Sequence, residues 1–225
     1  MRKQLALCLS FVLAAGISYA SPSSKFAANV KDLTIVPATS SDFGYVTVLQ
    51  IPIKTPNKKD LLVGASFETG LYTRTLVKSK LGISDTEKAT AQLNVRILVD
   101  GQQTYPDVAP NEVIFDRRLQ EMTATLGGVI SSCTDANADG TIDVATECVV
   151  TDETIELILD TMAAHHFNFV VSNVEAGDHL LEVQVLGTTT TSSGDAGATV
   201  AVGRGSLTVE EVRAVNQGTG LVFEQ

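Results

Sequence analysis

The residues with the most chemistry to offer run together as CTDANADGTIDVATEC, residues 133–148. Four acids, Asp135, Asp139, Asp143 and Glu147, stand between Cys133 and Cys148 with no basic residue among them. Closely spaced oxygens on a tightly curled backbone suit Ca2+, which takes about six to eight hard oxygen ligands at flexible distances. Asp, Asn and Gly are equally what any tight turn collects. Two cysteines at this spacing can staple such a turn, an effect worth about 3 kcal/mol through the unfolded chain. A metal loop, a stapled turn, or both are open to these residues.

From Asp135 the spacing reads D-x-N-x-D-G-x-I-D. It resembles the opening of the EF-hand and dockerin calcium loops. The resemblance implies side-chain oxygens from Asp135, Asn137 and Asp139, a sharp turn at Gly140, and the backbone carbonyl of Thr141. Ile142 takes the apolar anchor position, and Asp143 ligates directly or through water. The final bidentate acid of that pattern falls on Thr146. Glu147 lies one residue late and closes the set only if the backbone bulges. Cysteines also stand where an EF-hand has its flanking helices. The expected cofactor is Ca2+, bound in a structural role toward the weak, extracellular end of the affinity range, about 10⁻⁴ to 10⁻³ M.

Redox compartment decides whether the cysteines pair. Arg2 and Lys3 precede an apolar stretch from Leu5 to Gly16, and Ser18-Tyr19-Ala20 places small residues where a signal peptidase reads. This pattern predicts a secretory signal over 1–20, cleaved before Ser21, with an apolar run too short to span a bilayer. Cys133 and Cys148 are then the only thiols left, and an oxidising compartment permits the single pairing they have. The expected location is secreted, periplasmic or at the cell surface, without a membrane span.

The formal charge is −10, and loss of Arg2 and Lys3 takes it to −12. Such a balance argues against nucleic acid or anionic lipid as partner. From Leu119 to Gly203 the chain has no Lys or Arg, yet that stretch holds half of the acids. Their neutralisation has to come from solvent, hydrogen bonds or a cation.

Other chemistry finds less support. His165 and His166 are adjacent, and neighbours on a strand point to opposite faces. At the end of a helix they would instead serve the terminal carbonyls. No nucleophile-elbow, P-loop, zincin or dinucleotide signature occurs, so no catalytic residue is assigned and the chain is read as non-enzymatic. A hydrolase with paired carboxylates is the alternative, since acids are plentiful. Tyr45, Tyr72 and Tyr105 are the rings available for stacking on a carbohydrate; Phe167 and Phe169 share a strand face and read as core.

The elements that must carry the loop are mostly strands. Ala91–Val99 places apolar residues at odd positions, with Leu98 the one apolar even position, and Asp100-Gly101 follows as a turn. Leu181–Val185 repeats the alternation after the turn Glu175–Asp178. Further strands are expected at Leu33–Val36, Tyr45–Ile53, Leu61–Phe67, Leu71–Val77, Val113–Thr125, Phe167–Val171, Ala198–Val202 and Leu207–Val215. Gly203-Arg204-Gly205 reads as a turn or bulge, and Thr188–Asp195 as a polar hairpin tip. Ile155, Ile158, Leu159 and Met162 follow helical spacing behind Thr151 and Asp152, which predicts one short helix near 152–164. An outer-membrane barrel is disfavoured by the lack of Trp and the few Tyr and Phe.

Phe167-Asn168-Phe169, Gly177-Asp178-His179 and Gly205–Val212 resemble stretches of uncharacterised secreted bacterial proteins expected to be jelly-roll-like. The whole reads as all-β: a single antiparallel β-sandwich over 21–225, jelly-roll-like. Its expected role is a secreted interaction or structural module with a disulfide-bracketed calcium loop. The partner would be extracellular and of unknown identity, with carbohydrate or self-association as options. A subunit of a surface assembly is a further alternative.

Overall fold

The structure is a computed structural model and describes residues 26–32, 44–102 and 107–213. The expected signal segment 1–20, the strand expected at Leu33–Val36 and Tyr105 lie outside these residues.

Alternating burial carries the fold. Along β3 (Lys59–Ser79) side chains from Leu61 onward switch almost strictly between buried and half-exposed, as a strand with one covered face requires. Similar alternation marks β2 (Val46–Thr55), β4 (Ser84–Val99) and β10 (Gly177–Thr191). With β1 (Phe26–Lys31), β5 (Asp107–Ala109), β6 (Val113–Thr125), β9 (Glu153–Val174) and β11 (Gly197–Val212) these make two antiparallel sheets. One sheet has the order β1-β11-β3-β9-β5 and the other β2-β10-β4-β6. A separate hairpin pairs β7 (Val129–Cys133) with β8 (Cys148–Thr151), and the one helix among the described residues is α1, Val144–Glu147.

The expected antiparallel sandwich is present, and its connectivity is that of a jelly roll. Strands β1, β2, β3 and β4 pair with β11, β10, β9 and β6 respectively. The chain is thus one long antiparallel ribbon whose successive pairs alternate between the sheets. Wrapped in this way, it closes two Greek keys around one core. Leu61, Val63 and Phe67 of β3 meet Leu93, Val95 and Ile97 of β4, with Leu181 and Val183 of β10 and Leu207 and Val209 of β11 completing the interior.

Two turns behave as their residues dictate. Asp100 and Gly101 both have positive φ, 52° and 76°, and Val99 and Gln102 exchange backbone hydrogen bonds across them at 2.9 Å each way. That is the two-residue hairpin expected of Asp-Gly. At Gly203 the pairing of β11 with β3 slips between Val202 and Gly205. A Cβ there would stand 2.9 Å from the Cβ of Glu68, so glycine is required for close approach rather than for a turn between strands. The two strands expected at 198–202 and 207–215 are consequently, over the described residues, one bulged strand that ends at Val212. Leu61–Phe67 and Leu71–Val77 likewise merge into β3.

The helix expected near 152–164 is absent; residues 153–164 belong to β9, which pairs with β3 from Ser79↔Glu153 to Lys59↔Val174. Ile155, Leu157 and Leu159 face the interior side, and Ile158 and Met162 the outer side. Apolar residues on both faces imitate helical spacing, because this half of β9 is exposed on both faces. Long-range hydrogen bonding outweighs the local helical pattern. Gln120 of β6 donates to the carbonyl of Leu157 at 2.9 Å and to Thr75 Oγ1 at 2.7 Å, and accepts from Thr73 Oγ1 at 2.6 Å. Arg118 Nη1 donates to the carbonyls of Leu71 and Leu159 at 2.7 and 3.1 Å.

Opposite the polar end, His179 ties two turns together. Its Nδ1 lies 2.8 Å from Asp100 Oδ2 and its Nε2 2.9 Å from the carbonyl of Glu175. Acceptors at both nitrogens call for protons on both. Burial works against the cation, but the hydrogen bonds to Asp100 and Glu175 and the Asp100 charge outweigh it and raise the imidazole pKa above its ordinary value. A raised folded-state pKa adds stability that is complete below the unfolded value of about 6.5 and is lost as pH rises through the folded value. Urea unfolding of the wild type should therefore show stability falling on that alkaline side, with His179→Gln flattening the fall. Parallel profiles would show that the clamp contributes nothing.

Candidate functional site

The bracketed loop stands away from the sandwich at the tip of the β7–β8 hairpin. Cys133 and Cys148 are register partners, joined by a disulfide with their Cα atoms 4.0 Å apart. The ladder and the covalent link hold the loop ends together, and the Thr134 N–H donates to the Glu147 carbonyl at 2.9 Å just inside them.

Within this frame the acids hold backbone amides. Asp135 accepts from the N–H groups of Asp139 at 3.2 Å and Gly140 at 2.9 Å. Asn137 Oδ1 also accepts from Asp139 N–H, at 3.0 Å, while its amide donates to Asp139 Oδ2 at 3.0 Å. Asp139 Oδ1 accepts from both the N–H and the hydroxyl of Thr141, at 2.8 and 2.6 Å. These bonds, the Thr141 hydroxyl first, hold the Asp139 carboxyl below the usual range. The curl needs left-handed backbone at Ala138, φ 57°, and at Gly140, φ 80°. Gly140 takes this at little cost and Ala138 does not.

The second half of the loop is arranged differently. Asp143 is the N-cap of α1 and accepts from the N–H of Ala145 at 2.9 Å. Glu147 reaches back across the loop, accepting from Ala136 and Asn137 N–H on one oxygen and from Asp143 N–H on the other, at 3.2, 3.3 and 2.9 Å. It clasps the two halves without a bulge that would bring it to the position of Thr146. Asp135, Asn137, Asp139 and Thr141 thus form one bonded group, with Asp143 and Glu147 bracing it. Among the described residues no three His, Cys, Asp or Glu side chains surround a point that could hold a metal ion. Each carboxylate oxygen that accepts a single N–H keeps a lone pair, so Asp135 and Asp139 retain acceptor capacity.

The electrostatic setting separates this loop from the rest of the acidic stretch. Asp152 lies 3.7 Å from Lys80, Asp195 2.8 Å from Lys78, Glu175 3.1 Å from Lys58, and Glu156 pairs with Arg74. Cations from β3 and the residues flanking it thus meet acids distant in sequence. None of the ion pairs among the described residues involves Asp135, Asp139, Asp143 or Glu147. Their charges face backbone amides, the Asn137 side-chain amide and the Thr141 hydroxyl.

The remaining candidates do not converge. His165 and His166 sit in mid-strand on β9, not at a helix end, and face opposite ways. His165 lies 3.3 Å from Asp116 and against the Phe115 ring; His166 bonds Asn168 at 2.9 Å. Phe167 and Phe169 stack edge to face with Phe169 wholly buried, as expected of core. The Tyr45 ring carries the Arg96 guanidinium at 3.7 Å, so that face is taken. A cleft of about 370 Å³ is lined by Lys58, Lys59, Asp60, Asn173, Val212 and Arg213, with one carboxylate rather than a facing pair. No helix among the described residues is long and apolar enough to cross a membrane.

The Glu147 clasp is open to direct measurement. Glu147→Ala should speed hydrogen exchange at the amides of Ala136, Asn137 and Asp143 by about tenfold, the equivalent of a hydrogen bond worth roughly 1.4 kcal/mol, and leave the core amides of β3 and β10 unchanged. Unaltered exchange at all three would remove the clasp from the account. No protein-family model matches this sequence, and no curated protein matches it either.

Proposed function

We propose that this chain is an exported, non-enzymatic interaction or structural module whose disulfide-closed loop takes Ca2+ as a stiffening ion. The observation that carries this reading is electrostatic. Six of the nine other acids between Leu119 and Gly203 meet a lysine or arginine delivered by the fold, whereas Asp135, Asp139, Asp143 and Glu147 have none. Four carboxylates in one short loop repel one another, and a divalent cation relieves that repulsion in a way that backbone dipoles do only in part.

The loop geometry supports the same reading. Asp135, Asn137 and Asp139 are already held over one turn by their bonds to the amides of residues 139–141, so binding would demand little ordering of the backbone. Asp135, Asp139 and the Asn137 or Thr141 oxygens would supply the ligands, with Asp143 adding one directly or through water. An ion there would fix the hairpin tip as a rigid contact surface for an extracellular partner. The predicted signal segment and the disulfide agree on an oxidising compartment.

Calorimetric titration of residues 21–225 with CaCl2 tests the proposal, with EGTA reversal. At about 10 mM Ca2+ and a Kd near 10⁻⁴ to 10⁻³ M the folded state gains about 1.4–2.7 kcal/mol. Asp139→Ala should abolish the binding heat, and Cys133→Ser should weaken it without erasing it. Absence of heat in the wild type at millimolar Ca2+ overturns the calcium assignment.

A further inference from the structure

The part of β9 from Glu153 to Phe169 borders β3 on one side and no described strand on the other, since β5 begins opposite Val170. Which backbone groups this edge presents follows from Arg118. One nitrogen, Nη1, reaches the carbonyls of both Leu71 and Leu159, so both carbonyls lie between β3 and β9. Odd residues of β9 therefore bond toward β3, and Thr154, Glu156, Ile158, Asp160, Met162 and Ala164 direct their N–H and C=O groups to the open side.

Such an edge is normally blunted by Lys, Pro, a bulge or a cover. Residues 153–169 hold no Lys or Pro, and the slip in the β3–β9 register lies at the far end, near Lys59. Apolar side chains flank the edge on both faces: Met162 is 73% exposed, Ile158 49% and Leu159 40%. Long, without a register slip against β3 and flanked by apolar side chains, the edge is shaped for another strand.

We propose that the edge of β9 pairs antiparallel with β9 of a second copy of this chain, about a two-fold axis at Leu159, joining two five-stranded sheets into one. The charges select the copy and the register. Axes at Ile158 or Asp160 set acid against acid, Glu156 on Asp160 or Asp160 on itself, which costs stability. An axis at Leu157 opposes no acids but pairs none with a histidine. An axis at Thr161 would set Glu156 on His166, but it places Glu153 opposite Phe169 and runs the pairing up against residues 170–172, which β5 already pairs. At Leu159, Glu153 lies opposite His165 of the second copy, Glu156 opposite Met162 and Asp160 opposite Ile158. Every acid then has a neutral or imidazole partner. The window 153–165 ends before β5, and Leu159 meets its own copy at a closely spaced, non-hydrogen-bonded position. This inference stands on the sheet alone and is independent of calcium.

Size-exclusion chromatography with light scattering on residues 21–225, with EGTA present, should give the mass of a dimer at about 0.1 mM, above the micromolar Kd reached by interfaces of standard size. Met162→Glu faces Glu156 twice across the axis and should give monomer. Met162→Lys at the same exposed site should keep the dimer, and melting curves of both variants confirm folding. Leu159→Cys should form an intermolecular disulfide on a non-reducing gel. Ile155→Cys, whose copies would lie about 26 Å apart along the strand, should not. A monomeric wild type overturns the proposal, even if a strand from a different protein is then found on the edge. Equal effects of Glu and Lys at 162, or equal crosslinking at 155 and 159, overturn it as well.

Discussion

The pairing of β9 with β3 is the constraint on which the rest depends. It runs from Glu153 to Val174 against Ser79 to Lys59, far longer than the usual strand of about five or six residues. At one end it builds the apolar interior, where Val63 and Phe67 face Phe169 and its neighbours. At the other it extends beyond that interior, and the space between the sheets fills with hydroxyls, an amide and a guanidinium. Thr73 and Thr75 are fully buried and Gln120 nearly so. A buried polar group is tolerated only when bonded, and Gln120 has three partners. The carbonyls of Leu157 and Leu159 are held from below by β6. Without those bonds the chain of residues 153–164 would be free to follow its helical spacing.

The same extension explains where the two notable surfaces lie. The β7–β8 hairpin leaves the sandwich just before β9 begins, so the acidic loop is carried clear of the lysines and arginines that serve other acids. β9 itself becomes an edge over most of its length because β5 covers only Ser172 to Val170. The loop and the edge are thus separate consequences of one topology. One collects charge without countercharge, and the other presents backbone groups without a ladder.

Charge is distributed by the fold in a way that residue order conceals. Half of the acids lie in a stretch with no cation, which reads as a region that must be neutralised from outside. Most of those ion pairs are supplied by β3 and the residues that flank it. Lys58, Arg74, Lys78 and Lys80 each meet an acid from the second half of the chain. These exposed pairs are worth little individually, roughly 0–1 kcal/mol. They relieve local repulsion, and by contrast they mark the loop that they do not reach.

Read alone, the residues determined the all-β class, the strands with clean alternation, the Asp100-Gly101 turn and the pairing of Cys133 with Cys148. Each follows from short-range chemistry: a two-residue side-chain period, a backbone tolerant of positive φ, and the lone pairing left to two cysteines once Cys8 is set aside with the expected signal segment. The candidate loop was legible for the same reason, since its spacing is local. Tertiary structure alone decided that 153–164 is a strand, because the β3 ladder and the bonds from Arg118 and Gln120 come from residues more than 30 positions away. It also decided that Glu147 clasps the loop, that His165 and His166 part to opposite faces, and that β9 is left with an open side. These are properties of partners rather than of residues, and the jelly-roll ribbon brings partners together from opposite halves of the chain.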